Sequence, residues 1–283
     1  VQVCPEVAIG LGTPRDPIRI ELDGDDELLV QPSTERDLTE PMRTFSSEWL
    51  ANTRGVDGFV LKSRSPSCGI TDAKRYRRGK GPKPMRAGSG PGLFAEAALD
   101  RYPGVPFEDE GRLTNLRLRE HFLTRIFTTA AFREVRRKRS MSALVRFQAD
   151  NKMLFMAYNQ TRMRAMGRVV ANAEKKPLPE VLDAYEVELR QLLAKTPRYT
   201  SHINVAQHAM GYFKEGLSSR EKAHFLDALT TYREGRAPLS VVTALLSSWI
   251  ARFGEEYLAQ QTWFGPFPGD LVDAADSGKG RRR

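Results

Sequence analysis

The chain has 283 residues, a formal net charge of +9 and an isoelectric point near 9.7. With 28% charged and 40% hydrophobic residues it is typical of a globular protein, and its length suggests two domains. No apolar run is long enough for a transmembrane helix and no secretory signal is visible, so we expect no membrane association. Two cysteines cannot form a disulfide framework, which favours a reducing, cytoplasmic setting.

The first part predicts an α/β domain. "VQVCPE" is typical of the end of a strand, and because the chain starts at Val1 rather than Met we expect that strand to be truncated. "IRIEL" (18–22) and "ELLVQ" (27–31) flank "DGDD" and predict a hairpin. Helical spacing over 39–53 precedes the buried strand "DGFVLK". Strand, helix and strand in this order favour a Rossmann-like parallel sheet.

The next segments are expected to alternate between loop and helix. Residues 77–92 are rich in Gly, Pro and Lys and predict a loop. Residues 93–103 predict a helix that stops at Pro103, and "VPFEDEGRL" predicts extended chain. Residues 115–139 predict one long amphipathic helix or two shorter ones.

From Ser140 onward strand signals nearly vanish, and an all-α domain is predicted. The expected helices cover 142–159, 160–174, 178–194, 201–216 and 218–235, followed by a last helix or pair that ends in the Pro/Gly cluster at 265–269. We therefore divide the chain into an α/β domain over 1–132, an all-α domain over 133–270, and a basic tail over 271–283 that we expect to be disordered.

Basic residues are concentrated in a few segments, which favours an RNA partner over a general surface charge. Tyr76 lies among the cations of "KRYRRGKGPK", so a ring that can stack on a base is interleaved with groups that bind phosphate. A solvated helix face remains the alternative for any single arginine. The candidate RNA-binding residues are Lys74, Arg75, Tyr76, Arg77, Arg78, Lys80, Arg136, Arg137, Lys138, Arg146, Lys152, Arg162, Arg164 and Arg168.

Both cysteines are placed just beyond predicted strands. Cys4 is followed by Pro5 and Glu6, and Cys68 lies in the polar segment "SRSPSCG". If the two strands are parallel neighbours, both thiols and Glu6 converge at the carboxyl ends of the strands, where α/β sheets bind ligands. The nearby Lys62 and Arg64 are expected to lower the pKa of the thiol. The spacing of the two cysteines matches no metal motif, so unligated thiols remain an alternative.

Four histidines are present, but none suggests a metal site. His202 and His208 are six apart, which does not suit a helical zinc site. His202, Asn204 and Gln207 could contact RNA or satisfy buried polar groups. Thr13 and Arg15 in "GLGTPR" suit a structural turn or a substrate contact equally well.

The motifs "CPEVAIGLGTPR" and "DGFVLKSRSPSCG" resemble the TudS-type thiouracil desulfidases. The helical part resembles the YbgA-type domain, through "LVRFQADNKMLFMAYN", "MGRVVAN", "HINVAQHAMGYFK", "YREGRAPL" and "YLAQQTWFGPFP". The fused arrangement is similar to the RudS-type desulfidases, which act on 4-thiouridine in tRNA. The resemblance covers nearly the whole chain.

This resemblance implies a [4Fe-4S] cluster held by three cysteines, with one iron open. The matching positions are Cys4 and Cys68, and the third family cysteine belongs to an N-terminal motif that this chain does not contain. The implied partner is tRNA. The implied roles are Glu6 as acid/base, and Ser65, Ser67 and Lys62 as groups that orient the substrate or stabilise negative charge.

Three functions are compatible with these observations. The first is an iron–sulfur-dependent desulfidase of tRNA 4-thiouridine. The second is a desulfidase of free thiouracil, and the third is a non-catalytic RNA-binding protein. For Glu6 the structural alternative is a carboxylate at a helix N-terminus.

Overall fold

A computed structural model of the chain describes residues 1–79 and 84–272. The chain divides into two compact units, with the boundary between Asn115 and Leu116. The sequence placed this boundary later, at 132/133. The division is earlier because the long helix that begins at Leu116 contributes Phe132 and Val135 to the core of the second unit.

The described residues of the first unit form seven strands: β1 Arg19–Asp23, β2 Asp26–Gln31, β3 Arg36–Asp37, β4 Phe59–Leu61, β5 Ala73–Arg77, β6 Met85–Gly90 and β7 Phe107–Asp109. Five of them form one sheet in the order β3-β2-β1-β5-β6, and β4 pairs with β7 separately. The predicted hairpin is confirmed by the antiparallel β1–β2 pair, in which Ile20 lies opposite Leu29.

The predicted sheet was parallel, whereas the five-stranded sheet is mixed. Of the strand pairs described in it, β1–β5 is parallel and the others are antiparallel. The small β4–β7 sheet is parallel, with Phe59 opposite Phe107. The difference arises at residues 77–92, which were predicted to be a loop. Residues 85–90 instead form β6 and return antiparallel to β5, while 80–83 lie outside the described residues.

Outside residues 80–83, the first unit also contains three α-helices: α1 Pro5–Ala8, α2 Thr39–Asn52 and α3 Leu93–Arg101. The predicted helices at 39–53 and 93–103 are thus confirmed. Apolar residues at helical spacing place Met42 and Leu50 of α2 in the core, where Phe94 of α3 packs against Phe45 and Trp49. The strand predicted at the start of the chain is absent from the structure, because Val1–Val3 pair with no described strand and Cys4 directly precedes α1.

The second unit is all-helical over its described part, as predicted. Its helices are α4 Leu116–Lys138, α5 Met141–Asp150, α6 Lys152–Ala171, α7 Leu178–Leu192, α8 Tyr199–Met210, α9 Ser219–Arg233, α10 Leu239–Phe253 and α11 Glu256–Ala259. Residues 115–139 form one helix rather than two. The helix predicted over 142–159 is instead divided at Asn151, and α6 continues through a kink at Asn159 to Ala171.

The core of the second unit explains this division. The side chain of Asn151 is buried and donates to the Phe147 carbonyl at 2.8 Å, while Thr262 donates to its oxygen at 2.7 Å. Gln261 accepts from the backbone N–H of Met153 at 3.0 Å and donates to the Ala149 carbonyl at 2.9 Å. The segment after α11 therefore satisfies the backbone groups that the break between α5 and α6 leaves free.

Among the described residues no helix is long and apolar enough to cross a membrane. The basic tail predicted over 271–283 lies mostly outside the described residues, which end at 272.

Candidate active site

A large cavity of about 1480 Å³ lies in the first unit. Its walls come from the N-terminal segment, from residues 13–18, from the end of α2 and the segment after it, and from the turn that follows β4. Cys4, Glu6, Lys62, Ser65 and Cys68 all line it. The structure thus brings together in one cavity the two cysteines and three of the four candidate catalytic residues.

Both thiols are free, but their surroundings differ. Cys4 is exposed and precedes α1, whereas Cys68 is half-buried in the turn after β4. Burial, with the charges of Glu6 and Cys4 acting in the same direction, raises the pKa of the Cys68 thiol to about 12. The expected lowering of this pKa by Lys62 and Arg64 is not found: the net shift is upward, because burial outweighs the hydrogen bonds from Ser65 and from the backbone of Lys62.

Glu6 is the centre of the polar network in the cavity. It is 8% exposed, and its Oε1 accepts hydrogen bonds from the hydroxyls of Ser65 and Ser67, each at 3.0 Å. Its Oε2 accepts from Arg15 Nε at 2.8 Å and from a second nitrogen of the same guanidinium. Glu6 also lies in the first turn of α1, but α1 is only four residues long, so these side-chain contacts define its position.

Backbone contacts fix the turn that carries the serines and Cys68. Ser65 Oγ accepts from the backbone N–H groups of Ser67 and Cys68, each at 3.1 Å. The carbonyls of Pro66 and Ser67 accept from the backbone of α3 at Leu93 and Ala95, at 3.1 and 3.0 Å. The turn is therefore held against the first turn of α3.

Gly92 makes this close approach possible. A β-carbon there would lie 2.5 Å from the Ser67 carbonyl carbon and 2.6 Å from the Pro66 oxygen. Because both neighbours are backbone atoms, they cannot rotate away as a side chain could. A glycine at the start of α3 is thus a requirement of the site.

Arg15 links its own turn to Glu6 and Cys4 of the N-terminal segment. Besides Glu6 it binds the Gly12 carbonyl at 2.9 Å and Thr13 Oγ1 at 3.3 Å, and its Nη2 lies 3.9 Å from Cys4 Sγ. The structural-turn role that the sequence left open for Thr13 and Arg15 is observed, because Arg15 closes the turn. Both residues line the cavity, and their contact with a substrate stays a prediction.

Lys62, expected to orient the substrate, forms an ion pair with Glu110 at the cavity wall. Burial opposes ionisation of Glu110, but hydrogen bonds from Lys62 and from the backbone and hydroxyl of Ser63 lower its pKa to about 2. Sequence reasoning missed Glu110. It directly follows β7, whose parallel pairing with β4 places the carboxyl ends of both strands side by side.

Four of the candidate RNA-binding residues of the first unit lie on β5, namely Lys74, Arg75, Tyr76 and Arg77. Lys74 and Arg77 are exposed on β5, and Tyr76 packs beneath the Arg19 guanidinium at 5.8 Å. Arg75, in contrast, is 11% exposed at its side chain and forms an ion pair with Glu27. Arg78 pairs with Asp23 at 2.9 Å, and Lys80 lies outside the described residues.

Among the residues that the structure describes, some candidates of the second unit form ion pairs and others do not. Lys138, Lys152, Arg164 and Arg168 are exposed. The paired residues are Arg136 with Asp183 and Glu186, Arg137 with Glu134, Arg146 with Asp150, and Arg162 with Glu188.

His202 forms a hydrogen bond with a core residue of the second unit, Trp263. Its Nδ1 accepts a hydrogen bond from Trp263 Nε1 at 3.1 Å, and burial lowers its pKa to about 4, with the charge of Arg117 acting in the same direction. Asn204 and Gln207 are exposed on α8.

The cavity contains two free thiols and a buried carboxylate that two serines and an arginine hold in place. An all-helical unit follows this α/β unit in the chain. Residues 1–110 match the family described as 2-thiouracil desulfurase, and residues 152–268 match the family described as "Protein of unknown function (DUF1722)". The two matches support a fusion of a TudS-type domain with a YbgA-type domain. The first match supports a desulfidase role.

A curated relative supports the second assignment. The Escherichia coli K12 protein named "Uncharacterized protein YbgA" is 26% identical over 153 residues, which cover 54% of this chain and 81% of that protein. No solved structure matches the chain.

Proposed function

We propose that the protein is an iron–sulfur-dependent desulfidase that converts 4-thiouridine in tRNA to uridine. The observation that carries the proposal is the placement of Cys4 and Cys68 in one cavity with the buried carboxylate of Glu6. The family match to a 2-thiouracil desulfurase supports the reaction class. The exposed cations of β5 and of the helical unit support a polyanionic partner.

The donor set agrees in part with the proposed [4Fe-4S] cluster. Thiolates are the ligands that such clusters take, and two thiols line the cavity. The 283 residues contain no third cysteine, and within 1–79 and 84–272 no group of three or more His, Cys, Asp or Glu side chains is arranged around a metal position. The proposal therefore requires Cys4, Cys68 and one ligand from outside these residues.

When bound, a cluster with an open iron supplies a Lewis acid with affinity for the sulfur of a thiocarbonyl group. The protein side chains then manage water and protons. Glu6 accepts a proton from the water that adds to the base carbon, while Ser65, Ser67 and Arg15 keep its carboxylate in position. The carbon–oxygen bond forms, the carbon–sulfur bond breaks, and both protons of the water leave with the sulfur as hydrogen sulfide. The net reaction is a hydrolysis without electron transfer.

The test uses protein reconstituted with iron and sulfide under anaerobic conditions, with any additional N-terminal residues of the natural protein included. Loss of thiobase absorbance is followed on tRNA that contains 4-thiouridine, and iron per chain is measured separately. Cys68→Ala should lower both the iron content and the turnover. Turnover that survives Cys68→Ala at full rate would refute the proposed ligand.

A second candidate function is desulfuration of free thiouracil, which the description of the matched family favours. It predicts turnover of the free base and no salt-dependent binding of RNA. RNA binding without turnover of any thiolated substrate by iron-loaded protein would instead indicate a non-catalytic RNA-binding protein.

A further inference from the structure

Helices α9 and α10 of the second unit form an open groove on their outer side, with a volume of about 610 Å³. The opposite side of α10 packs into the core through Val242 and Leu246. The groove is therefore on the side of α10 that faces away from the core. Its α10 wall consists of Val241, Ala244, Leu245 and Ser248, and its α9 wall includes the ionisable residues His224 and Asp227. We call this surface the α9–α10 face.

The exposed side of α10 is uncharged. Residues 237–251, between Arg236 and Arg252, include no acidic or basic side chain, although 28% of the chain is charged. Val241 is 42% exposed, and Leu226 of α9 is 46% exposed. Charged residues are depleted in the centre of protein interfaces, whereas solvent-facing helix surfaces are normally rich in them, so this composition is typical of an interface. The exposed positions of α10 in this range are Ser240, Val241, Ala244, Ser247, Ser248 and Ala251.

The α9–α10 face carries both a groove and a ridge that fits it. The α10 residues that line the groove recur at i, i+3, i+4 and i+7, so they form one ridge along the helix. Because Ala244 and Ser248 are small, the α10 helices of two copies can come close, and the ridge of each can enter the groove of the other. A patch of this kind is self-complementary. Self-complementary patches form two-fold symmetric interfaces, which are the commonest in soluble oligomers.

Charge also favours a second copy of the chain as the occupant of this face. Two chains with a net charge of +9 repel each other where charged surfaces meet, but two α10 helices that meet through residues 237–251 bring no like charges together. In the two-fold arrangement, His224 and Asp227 of one copy would lie against α10 of the other. There the hydroxyls of Ser247 and Ser248 can form hydrogen bonds with the imidazole and the carboxylate.

The size of the face sets the strength of the interaction. Helices α9 and α10 each have 15 residues. Such helices are about 22 Å long and about 10 Å wide, so the pair presents roughly 450 Å² per copy. Both copies together would bury roughly 900 Å², which is less than the about 1,200 Å² of stable complexes. The area therefore suits a weak, reversible dimer.

We propose that the α9–α10 face binds the same face of a second copy of this chain, forming a two-fold symmetric dimer in which α10 of each copy lies in the groove of the other. This inference is independent of the proposed desulfidase function, because it uses no residue of the cavity in the first unit.

The test is sedimentation velocity of the full chain, freed of nucleic acid, over a concentration range of about 1 to 200 µM. We expect a reversible monomer–dimer equilibrium with a Kd of about 10 to 100 µM. The dimer should become tighter at higher salt or stay unchanged, because salt screens the repulsion between two chains that each carry a net charge of +9.

Two pairs of variants locate the interface. Ala244→Glu adds a carboxylate to the groove that Asp227 also lines, in both copies, and should weaken the dimer at least about tenfold. Ala184→Glu adds the same charge at an exposed alanine of α7 and should leave the dimer unchanged. Both alanines are exposed, so thermal unfolding of the two variants should stay close to that of the parent protein. Under mild oxidation Ala244→Cys should give a disulfide-linked dimer, whereas Ala184→Cys should give no more than the parent protein.

Three results would overturn the inference. The first is a chain that stays monomeric at every concentration and gives no disulfide-linked dimer of Ala244→Cys, even if another protein were found on this face. The second is a dimer that Ala244→Glu leaves intact, and the third is an association that disappears at high salt. None of these results bears on turnover of a thiolated substrate, so the proposed function is tested separately.

Discussion

The hydroxyl of Ser67, which is fully buried, donates a hydrogen bond of 3.0 Å to Glu6 Oε1 across 61 positions of sequence. This contact joins the turn after β4 to the segment that carries Cys4. The same carboxylate oxygen also accepts from Ser65. The two thiol-bearing segments are therefore fixed to each other through one carboxylate, whose other oxygen is held by Arg15.

The two serines should differ in their effect on stability. Ser67→Ala removes one donor to Glu6 and should lower the free energy of unfolding by about 1 kcal/mol. Ser65→Ala also removes the acceptor of two backbone N–H groups, those of Ser67 and Cys68, and should cost about 2–3 kcal/mol and reduce the iron content. Denaturant unfolding measures both values. Ser33→Ala, at an exposed hydroxyl bound to Asp16, is the control and should change stability by less than about 0.5 kcal/mol.

Replacement of Glu6 should separate chemistry from binding. Glu6→Gln keeps the size of the side chain but removes the proton acceptor, so kcat should fall by roughly 10²–10⁴ while tRNA affinity stays near that of the parent protein. Steady-state kinetics and a tRNA binding curve together check this. Arg15→Lys keeps the charge beside Glu6 and should have a smaller effect on kcat. Unchanged kcat in Glu6→Gln, with a normal circular dichroism spectrum, would exclude Glu6 as the proton acceptor.

Gly92→Ala should disturb the site without touching any polar group. The new β-carbon would meet the backbone of Pro66 and Ser67 at 2.5–2.6 Å, so the turn that carries Cys68 must shift. We expect a loss of about 1–3 kcal/mol in unfolding free energy and a lower iron content. Gly167→Ala is the matched control, because Gly167 lies in α6 with no atom within 4 Å of an added β-carbon. It should be neutral or stabilising by up to about 1 kcal/mol. Equal iron content in the two variants would contradict the packing argument.

Stability should fall in mild acid because of His202. Burial, assisted by the charge of Arg117, lowers the pKa of His202 to about 4, while in the unfolded chain the imidazole has its usual pKa near 6.5. Between these values the unfolded state binds more protons, so stability decreases as the pH falls from about 6.5 to 4. The loss attributable to His202 is about 2–3 kcal/mol. Protonation also removes the acceptor for Trp263 Nε1.

The measurement for this prediction is urea unfolding at several pH values for the parent protein and for His202→Gln. The variant should be less stable at pH 7 but should lose less stability in acid. His224→Gln, at an exposed histidine, should follow the parent curve. A parent-like acid loss in His202→Gln would assign the effect to other groups.

Local patterns predicted the elements of the fold more reliably than their pairing. The β1–β2 hairpin and helices α2 and α3 follow from alternation, periodicity and breaking residues, which act over a few positions. The return of β6 against β5 was missed because Gly88 and Gly90 lack side chains that alternate, so the strand carries no periodic signal. The division of α5 from α6 was missed because Gln261, which satisfies the freed backbone, lies 108 positions from Met153.

Periodicity in the sequence by itself determined the all-helical second half. The motifs around the two cysteines marked Glu6, Ser65 and Ser67 as residues of one site. Both signals are local properties of the chain, so they can be read without the tertiary structure. Only the tertiary structure decided that Arg15 and Glu110 belong to the same cavity, that Arg75 is engaged with Glu27, and that burial raises the pKa of Cys68. Each of these depends on which distant groups share a space and how much water remains there. Such properties arise from packing, and no single segment of the chain contains them.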